Sequence, residues 1–195
     1  KDGKLTAAIE GNVNGGLKRK EFSFILVDDW LIVNIRTAKE KDHPDIIKIY
    51  NHAVDEKFAT ADTEHVIPES RKEWFAQHSP ETYPIYVAEE NNEIIGWCSL
   101  SPHRPGRKAL RKVAEISYYI HKDHRRKGIA NSLITHTIES AKALGFKNLI
   151  SILLELNKTS IYILEKFGFE KWGHLPDIAE IDEVICGQYI YGRKI

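Results

Sequence analysis

Apolar and polar residues alternate with period two at Leu5, Ala7 and Ile9, and again at Phe22, Phe24 and Leu26, on either side of the turn-forming run Asn12-Val13-Asn14-Gly15-Gly16. Strict alternation around Asn-Gly predicts a β-hairpin over residues 1–30. An appended leader with no fold of its own is the alternative reading. A separate domain is expected over 31–195, opening with a strand over Leu31 to Arg36. Ile46, Ile47, Tyr50 and Val54 then recur at helical spacing, with Asp42 as a candidate cap and Pro44 in the first turn. A second helix is expected over Pro68 to Gln77, with Trp74 and Phe75 facing inward. Ile85 to Glu89 and Ile94 to Leu100 read as strands joined at Asn91-Asn92.

Another strand is expected over Val113 to Ile120. It is followed by a helix over Gly128 to Leu144, whose Leu133, Ile134, Thr137, Ile138 and Ala141 share one face before Gly145. The apolar run Asn148 to Leu154 suits a strand buried on both faces. Asn157 caps a short helix ending at Gly168, and at least one more strand, Val184 to Gly192, lies in the tail. A meander followed by alternating strands and helices gives an α/β fold of mixed sheet flanked by helices.

The 195 residues carry 28 basic and 28 acidic side chains, so a general nucleic-acid binder is not expected. No apolar run nears the ~20 residues that span a bilayer, and the first residues lack a signal-peptide core, so a cytoplasmic protein is the expectation. Cys98 and Cys186 stand apart with no CxxC spacing, which suits free thiols in a reducing compartment, although spacing alone does not exclude a bridge. Nine histidines include His121 and His124 three apart, but no HExxH or Cys/His cluster supports a metal, and none is expected.

One stretch carries sharper chemistry. After the strand ending at Ile120 comes His121-Lys122-Asp123-His124, then Arg125-Arg126-Lys127-Gly128-Ile129-Ala130-Asn131, with a helix opening inside the run. A basic, glycine-containing loop at a helix start offers backbone N–H groups and the positive end of the helix dipole to an anion, phosphate above all. A solvated basic turn is the plainer reading. Neither GxxxxGK[ST] nor GxGxxG is present.

Arg125-x-x-Gly128-x-Ala130 after a strand resembles the acetyl-CoA pyrophosphate loop of the GCN5-related N-acetyltransferase (GNAT) superfamily, and Asn157 followed by Gly168-Phe169 resembles its next segment. The tail from Gly168 to Leu175, with Gly187-Gln188-Tyr189-Ile190-Tyr191-Gly192-Arg193, is similar to the phosphinothricin and methionine sulfoximine N-acetyltransferase subgroup, as are Ile49-Tyr50-Asn51 and Ala114-Glu115-x-Ser117. The resemblance spans about residues 32–195.

It implies a GNAT fold in which the strands Val113 to Ile120 and Asn148 to Leu154 run parallel and splay around the pantetheine arm. Tyr118, Tyr119 and Ile120 would hold that arm, Arg126 to Asn131 the pyrophosphate, and Asn157 the cofactor. Glu115, a carboxylate among apolar strand neighbours, would be the general base, its pKa raised by burial; a salt bridge to Arg111 is the alternative. Arg111 would grip the anionic end of the acceptor, or simply belong to a solvated basic loop. Phe58, Thr60 and Trp74 would shape the acceptor pocket. Where the superfamily often places a proton-donating Tyr, and the subgroup a His, seven residues after the asparagine, this chain has Leu164. The resemblance also implies a homodimer.

The expected function is acetyl-CoA-dependent transfer of acetyl to the primary amine of a small amino acid or analogue. The alternatives are another amine acceptor (a protein N-terminus, lysine, polyamine or aminoglycoside) or a non-catalytic acyl-CoA-binding module.

Overall fold

The computed structural model describes residues 4–13, 16–25 and 33–195. They fall into two compact units divided after Ile32. In the first, β1 (Lys4–Val13) pairs antiparallel with β2 (Gly16–Ile25), Val13 facing Gly16. The turn expected at Asn14-Gly15, and the strand positions Leu26, Val27, Leu31 and Ile32, lie outside the described residues.

The second unit is a seven-stranded sheet. Its chain order is β3 (Asn34–Thr37), α1 (His43–Asp55), α2 (Pro68–Ala76), β4 (Ile85–Glu90), β5 (Glu93–Pro102), β6 (Val113–Ile120), α3 (Ile129–Ala143), β7 (Asn148–Leu154), α4 (Lys158–Lys166), β8 (Glu170–Ile181) and β9 (Val184–Lys194). The spatial order is β3-β4-β5-β6-β7-β9-β8, and only β6 and β7 are parallel neighbours. The tail expected to hold at least one strand forms two, β8 and β9. Asn91 and Asn92 both take positive φ, 50° and 65°, as a tight turn of the twist-matching kind requires.

Burial divides the core by sheet face. Leu133, Ile134, Ile138 and Ala141 of α3 pack with Leu100, Ile116 and Leu149 on one side. Ile46 and Ile49 of α1 meet Val87 and Trp97 on the other, where Trp97 Nε1 donates to the carbonyl of Ile46 at 3.1 Å. The helical stripes read from the sequence are the faces that dock.

Asp42 does not cap α1 through its side chain. It stands at the N-cap position, but its carboxylate accepts from Arg36 Nη1 at 2.6 Å and from the Lys39 backbone N–H at 2.7 Å. A buried carboxylate with a guanidinium in reach takes the stronger, charge-assisted partner.

Candidate active site

The site grows from a defect in the sheet. β6 and β7 pair over only three rungs, Val113 with Asn148, Ala114 with Leu149 and Glu115 with Ile150. Beyond Glu115 the two strands part, while β6 keeps β5 through Ile120 and β7 keeps β9 through Leu154. The facing inner edges from Ile116 and Ser151 onward therefore carry peptide groups with no ladder partner, which an inserted chain with amide groups satisfies.

Two cavities open on the gap, of about 370 and 620 Å³. Both are bordered by Ser117 and Tyr119 from β6 and by Ile152 and Leu153 from β7, so they meet across the splay.

The larger cavity is walled by the basic loop Arg125 to Asn131. Gly128 caps α3 at φ 78°, a left-handed conformation that glycine adopts without a Cβ penalty. The helix ladder begins with Ser132 N–H donating to Gly128 O at 3.1 Å, which leaves the N–H groups of Ile129, Ala130 and Asn131 without an intrahelical acceptor. Arg125, Arg126, Tyr118, Ile120 and Asn157 also line this cavity. Arg125 pairs with Glu56 across the opening. Lys127 is exposed and lies off the lining. Asn157 Oδ1 accepts from Ser160 N–H at 3.0 Å, so it caps α4 as its position predicts. The donor set fits a diphosphate joined to an extended amide-bearing arm.

The smaller cavity holds Glu115, half-buried, on the β6 face shared with Ser117 and Tyr119. Burial alone raises its pKa above the ordinary carboxylate value. Arg111 is exposed, with Nη1 donating to Lys108 O at 3.1 Å, and forms no ion pair with Glu115 among the described residues. It lies outside both linings. The basic stretch around it is a separate surface turn.

Thr60 and Trp74 do line the smaller cavity, with Tyr50, Trp97 and Tyr119. Phe58 does not; it packs beside Leu154, Ile181 and Cys186, because the chain turns so that Ala59, Thr60 and Ala61 face the cavity instead. The cation in this cavity is Arg71, which sequence patterns did not single out. Its Nη2 donates to Asp62 Oδ2 at 2.7 Å, and its guanidinium lies 4.6 Å from the Tyr50 ring centroid. Tyr50 OH donates to the same Asp62 oxygen at 2.7 Å and pairs with Thr60 Oγ1 at 2.6 Å. Spacing held the one available signal: Arg71 and Trp74 stand three apart on α2 and so share a helix face.

The GNAT acetyltransferase family model matches residues 46–169, the stretch that contains both cavities' main walls. The chain belongs to the GNAT acetyltransferase family. The superfamily resemblance drawn from the loop and Asn157 is thereby established, and the sheet has the expected parallel, splayed strand pair. Bacillus subtilis YwnH, provisionally named a phosphinothricin acetyltransferase, is 38% identical over 164 residues, 84% of this chain and 99% of that protein. The L-methionine sulfoximine/L-methionine sulfone acetyltransferase of Pseudomonas aeruginosa is 32% identical over 148 residues, covering 75% of this chain and 86% of the relative. A GNAT phosphinothricin acetyltransferase from Sinorhizobium meliloti, solved in complex with AcCoA, superposes with a TM-score of 0.79 at 25% identity, covering 85% of this chain and 89% of that one.

Both cysteines are free and buried, and burial pushes the Cys98 thiol up to about 12, so neither is a nucleophile for this GNAT site. Among the described residues no group of three or more His, Cys, Asp or Glu is arranged to hold a metal, and no helix is long and apolar enough to cross a membrane.

Proposed function

We propose that Glu115 is the general base of an acetyl-CoA-dependent N-acetyltransferase whose acceptor is the primary amine of a small amino acid of the phosphinothricin or methionine sulfoximine type. The observation carrying this reading is the meeting of two cavities along Ser117 and Tyr119, one walled by the loop at Gly128 and the other by Glu115, Arg71 and aromatic rings.

In this reading the N–H groups of Ile129, Ala130 and Asn131, with Arg126, hold the pyrophosphate, and the free edge of β6 over Tyr118, Tyr119 and Ile120 holds the pantetheine arm. Arg71 takes the acceptor's carboxylate. It spends one nitrogen on Asp62 and keeps further donors for the substrate. Glu115 removes the amine proton, backbone donors beyond the last rung polarise the thioester carbonyl, and acetyl passes directly between the two reactants. Confinement of both in one cleft supplies much of the rate. The cation favours an anionic acceptor over a polyamine.

A homodimer and a cytoplasmic location complete the proposal. Exposed Trp172, Leu175 and Ile178 on the sheet-edge strand β8 favour the first, and two free thiols favour the second. The deciding assay follows release of free CoA with a thiol reagent across a panel of amines, for wild type and Glu115→Gln together. Turnover with phosphinothricin or methionine sulfoximine, reduced at least tenfold in the variant, is expected. Failure of every amine while acetyl-CoA still raises the melting temperature supports the binding-module reading instead.

A further inference from the structure

The transfer breaks a C–S bond and leaves a thiolate, and the residue at the position that often supplies its proton in this family is Leu164. Its side chain is fully buried in the core beneath the sheet, so it offers neither a proton nor an opening for water. Tyr162, two residues earlier, also borders the larger cavity, but it is 70% exposed and its hydroxyl has no hydrogen-bond partner among the described residues to aim it.

A phenol nevertheless reaches the same helix face from the sheet. Tyr118 lies between Ser117 and Tyr119, the two β6 residues that border both cavities, and its side chain points to the opposite face of the strand, toward α4. There its hydroxyl pairs with Ser160 Oγ at 2.6 Å. Ser160 precedes Leu164 by four residues, so the two stand on one face of α4, a turn apart. Tyr118 and Ser160 both line the larger cavity. Their contact uses one of the two O–H groups, and the other meets at most the long 3.4 Å approach of Tyr118 OH to the Ser160 carbonyl, so a weakly engaged O–H remains in a pair locked between strand and helix at the cavity wall.

We infer that the Tyr118–Ser160 hydroxyl pair is the hydrogen-bond donor and proton source for the departing CoA sulfur, standing in for the absent donor at Leu164. The inference rests on the reading of the larger cavity as the acetyl-CoA site. As the amine nitrogen bonds the acetyl carbon, the C–S electron pair passes to sulfur and the O–H donates to it. The proton removed from the amine goes to Glu115. The sulfur then takes a proton from the hydroxyl pair, which water replenishes, and Glu115 returns its proton to water. Tyr118 OH is held neutral by burial, which keeps it a donor until sulfur carries charge.

The test titrates the thiol of bound CoA by its thiolate absorbance on wild type, Tyr118→Phe and Ser160→Ala, with kcat measured on the same proteins. The bound thiol is expected to ionise on the order of one pH unit lower on wild type than on Tyr118→Phe, and the preference for CoA over desulfo-CoA at high pH is expected to shrink in that variant. kcat falls at least tenfold in Tyr118→Phe with the amine KM unchanged, and Ser160→Ala gives a smaller loss because the phenol remains but is no longer aimed. Equal thiol titrations in wild type and Tyr118→Phe, or an undiminished kcat, overturn the inference. Absence of turnover with every amine, while the Tyr118-dependent titration persists, instead removes the acceptor assignment and leaves the hydroxyl pair in place. A cavity that takes up no CoA removes both.

Discussion

Glu115 and Ile150 form the last rung between the parallel strands β6 and β7, so the carboxylate sits where the sheet stops pairing and the two cavities begin to open. Burial without an ion-pair partner among the described residues raises its pKa, which suits a base that must accept a proton near neutral pH. Glu115→Gln is expected to lower kcat about 100-fold, within the range of general-base contributions. Because the base works ionised, wild-type activity rises as pH climbs through the raised pKa, and the variant loses that limb. Stability moves the other way. A carboxylate whose folded pKa lies above its unfolded value weakens the fold once pH exceeds the folded value, so Glu115→Gln melts at or above the wild-type temperature at pH 8. A pH–rate profile and a melt on the same two proteins check both signs.

Arg71 is the cation that the fold brings to the cavity of Glu115, anchored to Asp62 and stacked on Tyr50. Arg71→Gln is expected to raise the amino-acid KM on the order of 10–100-fold, the scale of a lost charge-assisted hydrogen bond. The KM for acetyl-CoA stays within about twofold, since the larger cavity does not contain this side chain. Arg71→Lys fails to restore the KM, because an ammonium cannot hold Asp62 and a second carboxylate in the same planar geometry. Initial rates against each substrate in turn separate these outcomes.

Gly128 holds φ 78° at the start of α3. A Cβ there strains the backbone by about 1 kcal/mol, and relief by rotation turns the N–H groups of Ile129 and Ala130 away from the cavity. Gly128→Ala is expected to weaken acetyl-CoA binding about tenfold with little change in the amino-acid KM. Calorimetric titration with CoA measures it directly.

What could be read from the sequence was what short stretches decide by themselves. The loop around Gly128, the Asn157 cap and the apolar face of α3 each depend on neighbours within one helical turn, and the fold uses them as the spacing implies. The resemblance assigns Arg111 and Phe58 to the acceptor site, yet the direction of a loop residue is set by distant packing: one ends on a surface turn, the other in a cluster with Leu154 and Cys186. Arg71 escaped notice for the same reason. Nothing near it in the chain announces Tyr50 and Asp62, which arrive from α1 and the following loop. The pairing of Tyr118 with Ser160 is likewise tertiary, joining residues 42 positions apart.

Asp42 ties three parts of the sheet edge together. Its carboxylate takes Arg36 Nη1 and Nη2 at 2.6 and 3.0 Å and the Lys39 N–H at 2.7 Å, while Arg36 Nε reaches Glu89 at 2.6 Å across the β3–β4 pair. Asp42 is 3% exposed, and the Arg36 hydrogen bonds hold its pKa below the ordinary value. Removing one partner of such a pair leaves the other charge partly buried. Discounted for the partial exposure of Arg36, Asp42→Asn costs about 2 kcal/mol and lowers the melting temperature by about 5 °C at this chain length. The depressed pKa fixes the pH dependence. The contribution is complete above the unfolded value of about 4 and fades as pH falls through the lower folded value. Wild type and Asp42→Asn should therefore differ at pH 7 and converge as pH falls through the depressed folded value of Asp42. Urea unfolding at a series of pH values checks this, and an undiminished gap at low pH would show that Asp42 stabilises through packing instead of charge.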